Sequence, residues 1–324
     1  MVPESRAEIR RLVGSAIDDA IDIPMSETPS VELFHYTDSA GLKGILDSGA
    51  LWASSAAQLN DGSEWQYADE LAEDVFAQNV RAAPRLLDEW RRRASNEKRH
   101  SHPPLVACFC DEGDLLSQWY RYAAKGQGFA IGFDLTRLNT DEYRIGRINY
   151  EPAKQRDAVE RSIQSFLHAC YTHSVEPERY LSLLNGRLQR ILPWFKHRGF
   201  REEREWRIAV RAELSDLIDE EEENSNERAE FKRVKELQAR IPEYEPSHPP
   251  PMPVPTIESR LKFRTGQFGP VPYVEIPIRS IQSIRIGPSA NRAAAEAGVR
   301  NMLNARGFDP SAINLSLSDI PLRG

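Results

Sequence analysis

The chain has 324 residues, a hydrophobic content of 40% and a formal net charge of −7 at pH 7. This length fits one elaborated domain or a core with appendages, and no apolar run approaches the roughly 18 to 20 residues that span a bilayer. The negative charge argues against nonspecific coating of nucleic acid. Because residues 1–10 lack the basic-then-apolar pattern of a signal peptide, we expect a cytoplasmic protein without membrane contacts.

The first part of the chain alternates between amphipathic helices and short strands. Apolar spacing predicts helices over 5–21, 39–47, 61–76 and 84–99 and strands over 31–37, 51–53 and 105–110. Asp38 is suited to cap the second helix, and Gly49 lies where that helix ends. Asp61 and Glu64 have the spacing of a capping box at the start of the third helix. Residues 1–30 are therefore interpreted as an amino-terminal helix and linker that precede the core.

The remaining elements are separated by one segment of unusual composition. The same patterns predict helices over 115–124, 153–174, 177–196 and 290–306 and strands over 127–134, 143–150, 205–210, 272–277, 281–286 and 312–317. Between them, residues 219–223 are five consecutive acids and residues 241–256 contain seven prolines. Because such stretches resist packing, we interpret 213–256 as a flexible insertion with one helix near 227–240. Residues 31–212 and 257–324 then form a single α+β core.

The three cysteines, Cys108, Cys110 and Cys170, contain no C-x-x-C pair. Cys108 and Cys110 alternate within a predicted strand, so both thiols are expected on one face, where cysteine commonly behaves as a small buried hydrophobe. No further ligands stand at metal-binding spacing. The sequence therefore predicts no metal site.

A local basic groove is one interpretation of the cationic residues in the second half of the chain. These residues are Arg187, Arg190, Lys196, Arg198, Arg201, Arg204 and Arg207. The alternative is a solvated helix face whose cations pair with nearby glutamates.

Short sequence words recur in an order that is typical of a known family. The first are Phe34-His35-Tyr36-Thr37, Gly41-Leu42-x-x-Ile45-Leu46, Leu51-Trp52 and Leu59-Asn60-Asp61. They are followed by Trp119-x-x-Tyr122-Ala123, Gly128-x-Ala-Ile-Gly-Phe133, Glu203-x-Glu205-Trp206-Arg207 and Ile284-x-Ile-Gly-Pro288. In this order they resemble a bacterial family catalogued as domain of unknown function 2971, over about 31–212 and 257–322. That name supplies no activity.

A more distant resemblance does imply an activity. A histidine-x-threonine strand near the start, an aromatic residue in the middle and a late glutamate opening a strand resemble the ADP-ribosyltransferase superfamily. The resemblance implies an α+β fold with a split mixed sheet and peripheral helices, to which this chain adds the acidic, proline-rich insertion. It also implies NAD as the substrate. The residues carried over to NAD binding are His35 on a ribose, Thr37 beside it, Tyr122 or Trp119 against nicotinamide, and Arg207.

The same resemblance assigns the chemistry to two glutamates. Glu205 would hydrogen-bond the nicotinamide ribose and stabilise the cationic sugar as the glycosidic bond breaks, because a fixed carboxylate lowers such a barrier electrostatically. Glu203-Arg204-Glu205 resembles the glutamate pair of the arginine-modifying branch, in which the first glutamate positions the acceptor. Residues i and i+2 of a strand share a face, so both carboxylates reach one cleft if the strand begins by residue 203. A cationic nicotinamide over Tyr122 or Trp119 would also gain cation–π attraction.

Each candidate residue also has a structural interpretation. His35 can be interpreted as a buried histidine at the end of a strand. Glu203 and Glu205 can be interpreted as partners of neighbouring arginines in ion pairs on a solvated edge. Trp119 and Tyr122, three residues apart on a predicted helix, suit the hydrophobic core.

We therefore predict an ADP-ribosyltransferase that cleaves NAD at the nicotinamide–ribose bond and transfers ADP-ribose to a macromolecule, either protein or nucleic acid. The family resemblance suggests a toxin or phage-defence effector with an antitoxin partner. Two other classes stay open. One is a noncatalytic sensor or interaction module of the same fold, and the other is a metal-dependent nuclease or hydrolase that uses Glu203, Glu205 and Asp61.

Overall fold

The computed structural model describes residues 6–21, 32–56, 63–100, 104–136, 138, 143–210, 260–266, 269–278, 281–288 and 291–321. Its helices are α1 (Arg6–Ala20), α2 (Ser39–Ser48), α3 (Ser63–Asn79), α4 (Pro84–His100), α5 (Leu116–Tyr122), α6 (Pro152–Thr172), α7 (Leu181–Leu188) and α8 (Arg292–Ala305). Its strands are β1 (Leu33–Thr37), β2 (Ala50–Ser55), β3 (Leu105–Cys110), β4 (Phe129–Phe133), β5 (Tyr143–Arg147), β6 (Glu205–Val210), β7 (Lys262–Gly266), β8 (Gly269–Pro277), β9 (Ile281–Ile286) and β10 (Asn314–Leu317). Short 3-10 helices lie at Ala124–Gly126, Pro177–Tyr180, Leu192–Trp194 and Arg198–Glu203.

All of these strands join one mixed, open sheet. Its main path runs β10-β9-β4-β1-β3-β2-β8-β7, while β6 pairs with β3, and β5 pairs with β6. The β9–β10 pair is parallel, and the other pairs among the described strands are antiparallel. The fold of the described residues is thus α+β, with helices packed outside a mostly antiparallel sheet.

The central strand β3 has two neighbours on one of its edges. β6 pairs with β3 from Val106 to Cys110 and so occupies one edge. On the other edge, β1 meets β3 at Cys110, and β2 meets it at Leu105 and Val106. Because β1 and β2 hold opposite ends of the same edge, a gap opens in the sheet between them.

Three hydrophobic clusters hold the elements together. One cluster joins α1, α3, α4, α6 and α7 around buried side chains such as Phe166 and Trp194. A second joins one face of the sheet to α2 and α8 and includes Leu42. In the third, Trp119 of α5 packs edge-on against Tyr36 of β1, with ring centroids 4.9 Å apart. Since Tyr36 points to the face opposite the second cluster, helices cover both faces of the sheet near the gap.

Local hydrogen bonds fix the turn from β1 into α2. Asp38 Oδ1 accepts a hydrogen bond from the Gly41 N–H at 2.8 Å, which satisfies a donor that the first helical turn leaves unpaired. A Cβ on Gly41 would lie 1.9 Å from Thr37 Oγ1, so any larger residue there would displace the Thr37 side chain. At the carboxyl end of α2, Gly49 takes a left-handed conformation with φ 63. The short helix α2 thereby connects β1 to β2 across the gap.

Most predicted elements are confirmed within a few residues at each end. The prediction of one helix over 177–196 is wrong, because Pro193 cannot continue an α-helix and the segment divides into α7 and two 3-10 turns. β7 has no counterpart among the predicted strands. The linker at 22–30, the proposed cap Asp61 and the insertion over 213–256 with its helix lie outside the described residues.

None of the described helices is both long and apolar enough to cross a bilayer.

Candidate functional site

A cleft of about 590 Å³ opens at the gap between β1 and β2. Its size lies within the range of roughly 300–1,000 Å³ that is typical of small-molecule sites. One part of its lining comes from β1, α2, β2 and β3, and the rest comes from α5, the 196–205 segment, β6 and single residues of α3 and β7. Segments far apart in sequence therefore meet at one cavity of ligand size.

His35 and Thr37 both line this cleft. His35 Nδ1 lies 2.9 Å from the carbonyl oxygen of Cys108, so the ring donates from Nδ1 and leaves Nε2 as an acceptor. Burial lowers the pKa of His35, which favours the neutral ring. An edge-to-face contact with Phe109, at a centroid separation of 5.9 Å, further restricts the ring. His35 is thus a neutral, oriented hydrogen-bonding group in the wall of the cleft.

His35 and Glu205 belong to opposite faces of the sheet, although both line the cleft. Phe34 pairs with Cys110, and Cys110 pairs with Glu205. Directly paired residues share a face, so Phe34 and Glu205 point the same way and His35 points the other way. The gap between β1 and β2 allows a single cavity to reach both faces.

Glu205 belongs to a buried network of ion pairs. Its Oε2 accepts from Lys196 Nζ at 2.7 Å, and its Oε1 accepts from Arg207 Nε at 2.5 Å. Glu64, in the first turn of α3, pairs with the same two cations, at 2.7 Å from Lys196 and 2.6 Å from Arg207. Glu203 also pairs with Lys196. Each of these five residues is at most 9% exposed.

The charges of this network balance. Arg121 Nη1 donates to Glu203 Oε1 at 2.6 Å, so three carboxylates face the three cations Arg121, Lys196 and Arg207. The Arg121 side chain is 48% exposed and lines the cleft, whereas the rest of the network is buried. Buried charges are tolerated when they are paired and hydrogen-bonded. Removing any one of the buried members would therefore leave an uncompensated charge.

The network also determines the protonation states at the site. Burial alone would raise the pKa of Glu205, but Arg207 and Lys196 outweigh burial and hold that pKa well below its ordinary value. Burial alone would lower the pKa of Lys196, but the carboxylates around it, Glu205 foremost, raise that pKa instead. At neutral pH Glu205 is a carboxylate and Lys196 is an ammonium. These two groups supply fixed charge rather than proton exchange near pH 7.

Glu203 reaches the network by a different route from the one that strand alternation predicts. β6 begins at Glu205, so the shared-face argument for i and i+2 does not apply to this pair. Glu203 ends a 3-10 helix, and Arg204 then takes a left-handed conformation with φ 48. This turn brings both carboxylates to Lys196. The Arg204 side chain pairs elsewhere, with Asp111 at 2.5 Å.

Of the two aromatic candidates, Tyr122 borders the cleft and Trp119 lies in the core. The Tyr122 hydroxyl donates to Glu203 Oε1 at 3.3 Å. Trp119 is fully buried, and its Nε1 donates to Asp114 Oδ1 at 2.7 Å. Trp119 therefore fits its structural interpretation, and Tyr122 remains the candidate for contact with an aromatic ligand.

Lys196 and Glu64 are site residues for which the sequence patterns predict other roles. The patterns favour a basic groove for Lys196 and a capping box for Glu64, yet their side chains pair with each other across the network. Helical or strand spacing carries no signal for a contact between residues so far apart in the chain. The one local signal is that Lys196 ends an apolar stretch, 191–195, in an otherwise basic region.

The basic-groove interpretation is wrong for four of its members. Lys196 and Arg207 are buried against glutamates, and Arg204 pairs with Asp111. Arg187 is buried and lies 3.0 Å from Asp18. The alternative interpretation, cations paired with acids, describes these four residues, although three of them are buried rather than solvated.

Two further features of the sequence can be placed around the cleft. Cys108 lines it and Cys110 is buried, and neither forms a disulfide. In the part of the chain that the structure describes, no group of three or more His, Cys, Asp or Glu side chains is arranged to hold a metal ion. Where three glutamates of the network converge, the ammonium of Lys196 occupies the position between them.

Part of the chain matches a known protein family. Residues 118–208 match the sequence model of a family described as "Protein of unknown function (DUF2971)". The matched segment runs from α5 into β6 and contains Tyr122, Lys196, Glu203, Glu205 and Arg207. The match supports the family resemblance of the sequence words, and its description assigns no activity. No curated protein matches the chain, and no solved structure does.

Proposed function

We propose that this cleft is the active site of an NAD-cleaving ADP-ribosyltransferase. The observation that carries the proposal is that one ligand-sized cavity is lined by His35, Thr37, Tyr122, Glu203 and Glu205. These are the residues that the resemblance to ADP-ribosyltransferases assigns to ribose, nicotinamide and catalysis. The gap between β1 and β2 is also what the split sheet of that superfamily leads us to expect.

His35 is assigned to the binding of a ribose. Because its Nδ1–H is held by the Cys108 carbonyl, the neutral ring offers Nε2 as an acceptor for a ribose hydroxyl. Thr37, two residues further along β1, lines the same cavity and offers a hydroxyl group. These contacts exist in the ground state, so they contribute to substrate affinity more than to the rate of bond cleavage.

Glu205 is assigned to the bond-breaking step. When the nicotinamide–ribose bond breaks, its electron pair leaves with the nicotinamide, and positive charge develops on the ribose carbon. A carboxylate that Lys196 and Arg207 keep ionised and fixed stabilises that charge without reorganising. The two hydrogen bonds from these cations use about half of the roughly four lone-pair positions of a carboxylate. Glu205 therefore retains capacity for a ribose hydroxyl.

Transfer then requires a nucleophile of the acceptor to bond to the ribose carbon and to release its proton to solvent. Glu203, which already accepts an N–H from the Arg121 guanidinium at 2.6 Å, is assigned to positioning that acceptor. The acceptor is a macromolecule, either protein or nucleic acid. A toxin or phage-defence effector that an antitoxin restrains is the setting that the family resemblance favours.

A noncatalytic sensor or interaction module with the same cleft is the second candidate. It is favoured by the charge balance of the network, because both oxygens of Glu205 already pair with cations. It is also favoured by the position of His35 on the opposite face of the sheet. In such a module the ion pairs fasten α3 and the 196–205 segment to β6, and the cleft binds a ligand without breaking it.

Purified protein incubated with cell lysate and NAD labelled in its adenylate half distinguishes these functions. The transferase releases nicotinamide and labels a macromolecule. Binding of NAD without release supports the module, and cleavage of nucleic acid that needs a divalent metal but no NAD supports the nuclease. Tyr171→Ala serves as the control for variants of the cleft residues, since that side chain is 84% exposed and lies outside the cleft lining.

A further inference from the structure

Trp52 is the exception in an otherwise buried strand. The remaining residues of β2 are buried, whereas Trp52 is 41% exposed and lines the cleft. One face of its ring stacks on Tyr273, with a centroid separation of 4.5 Å and an interplanar angle of 30°. Tyr273 is itself buried, so the indole is held in place. The opposite face of the indole is therefore the one on which a flat aromatic ligand would stack.

Arg264 of β7 reaches the same part of the cleft. Its Nε donates to Ser54 Oγ at 3.4 Å, and Ser54 shares a face with Trp52 because the two residues are two apart in β2. The nearby acid Glu275 pairs instead with Lys262, at 2.7 Å. Within the residues that the structure describes, Arg264 has no carboxylate partner, whereas the other cations of the cleft are paired. Its charge is therefore left for an anionic ligand.

The indole and this guanidinium lie on the face that carries Glu205. Ser54 pairs with Val106, and Val106 pairs with Ala209, so these three residues share a face. Glu205 lies four residues before Ala209 in β6, and strand alternation returns it to the same face. One continuous cavity thus has neutralised carboxylates in one part. In another part it has an exposed aromatic face beside Arg264, which pairs with none of the carboxylates that the structure describes.

We propose that Trp52 and Arg264 form the subsite for the adenosine diphosphate half of the dinucleotide. The adenine stacks on the indole, and a phosphate oxygen accepts hydrogen bonds from the guanidinium. This inference rests on the proposed function, which supplies NAD as the ligand, and it fixes the direction in which NAD lies. The anionic phosphates lie at Arg264, and the cationic nicotinamide lies at Tyr122 and Glu205.

Calorimetric titration of the full chain with ADP, and separately with adenosine, tests the subsite. Trp52→Ala is expected to weaken binding of both ligands about tenfold, the scale of one lost base–aromatic stack, while Trp52→Phe stays close to wild type. Arg264→Gln is expected to weaken ADP binding about tenfold and to leave adenosine binding unchanged. Phe263→Ala is the control, because that ring is 62% exposed and outside the cleft lining.

Several results would overturn the subsite. One is an ADP affinity that neither Trp52→Ala nor Arg264→Gln changes in correctly folded protein, as judged by circular dichroism. Another is a wild-type protein that binds a short single-stranded oligonucleotide but not ADP. NAD cleavage is scored separately from these affinities. If the variants lose ADP affinity as predicted but the wild type cleaves no NAD, the subsite is supported and the transferase is rejected. If the wild type cleaves NAD but the variants keep their ADP affinity, the transferase is supported and the subsite is rejected.

Discussion

Lys196 donates a hydrogen bond from Nζ to Oε2 of Glu205 at 2.7 Å, and both residues are almost excluded from solvent. The contact joins the segment before β6 to the first residue of that strand. Because Glu205 is also the candidate catalytic carboxylate, its structural and chemical roles coincide in one side chain. Variants of Lys196 and Glu205 separate the two roles.

Lys196→Met is expected to lower the free energy of unfolding by about 3–5 kcal/mol, the usual cost of leaving a buried charge without its partner. Urea unfolding followed by circular dichroism measures the loss. Lys43→Met removes a largely exposed lysine that pairs with Asp47, and this control is expected to cost no more than about 1 kcal/mol. Equal unfolding midpoints for Lys196→Met and wild type would show that the network does not hold the fold together.

Acid is expected to destabilise the protein through Glu205. Its folded pKa lies below the ordinary value of a glutamate in the unfolded chain, which is about 4.3. The contribution of Glu205 to the free energy of unfolding is therefore fully present above about pH 5 and is lost as the pH falls through the folded pKa. We expect the urea concentration at the unfolding midpoint to decrease as the pH is lowered below about 4, and to decrease less steeply in Glu205→Gln. Parallel curves for the two proteins over that window would refute this assignment.

Glu205→Gln is expected to reduce nicotinamide release by at least about 10²-fold, the scale of one lost preorganised electrostatic group. NAD affinity, measured by calorimetry, should stay close to wild type. The single substitution also leaves the network with excess positive charge, so Glu205→Gln/Lys196→Met serves as a charge-balanced control. The loss of release should persist in that double variant. Restored release would mean that Glu205 acts through the fold alone.

Glu203→Gln is expected to separate cleavage of NAD from transfer of ADP-ribose. If Glu203 positions the acceptor, nicotinamide release stays near the wild-type rate while labelling of macromolecules falls. The ratio of labelled product to released nicotinamide measures this difference directly. A parallel loss of both products would instead place Glu203 with Glu205 in the cleavage step.

His35→Ala is expected to weaken NAD binding about tenfold, because one ribose hydrogen bond is lost in the ground state. Burial lowers the pKa of His35, so its ring stays neutral from about pH 8 down to its ordinary pKa of about 6.5. Calorimetry should therefore show an NAD affinity that is constant over this range. The neutral acceptor would be contradicted if the NAD affinity of the wild type changed with pH around a midpoint above about 6.5 and that change were absent in His35→Ala.

The sequence by itself determined the elements whose signals are local. Asp38 and Gly49 mark the ends of α2 as predicted, because capping depends on residues within a few positions of each other. The apolar alternation of Glu205–Val210 marks β6. His35 and Glu205 became candidates through the resemblance of the sequence to a known superfamily, and both lie in strands that the alternating pattern predicts.

Only the tertiary structure decided which charges are paired and which groups face the cleft. Glu64 and Lys196 meet because α3 and the segment before β6 pack together, and no local spacing encodes that contact. The register of β1, β3 and β6 placed His35 and Glu205 on opposite faces, and the gap between β1 and β2 joined them in one cavity. Strand order and register depend on the simultaneous packing of distant segments, so periodicity along one segment cannot specify them.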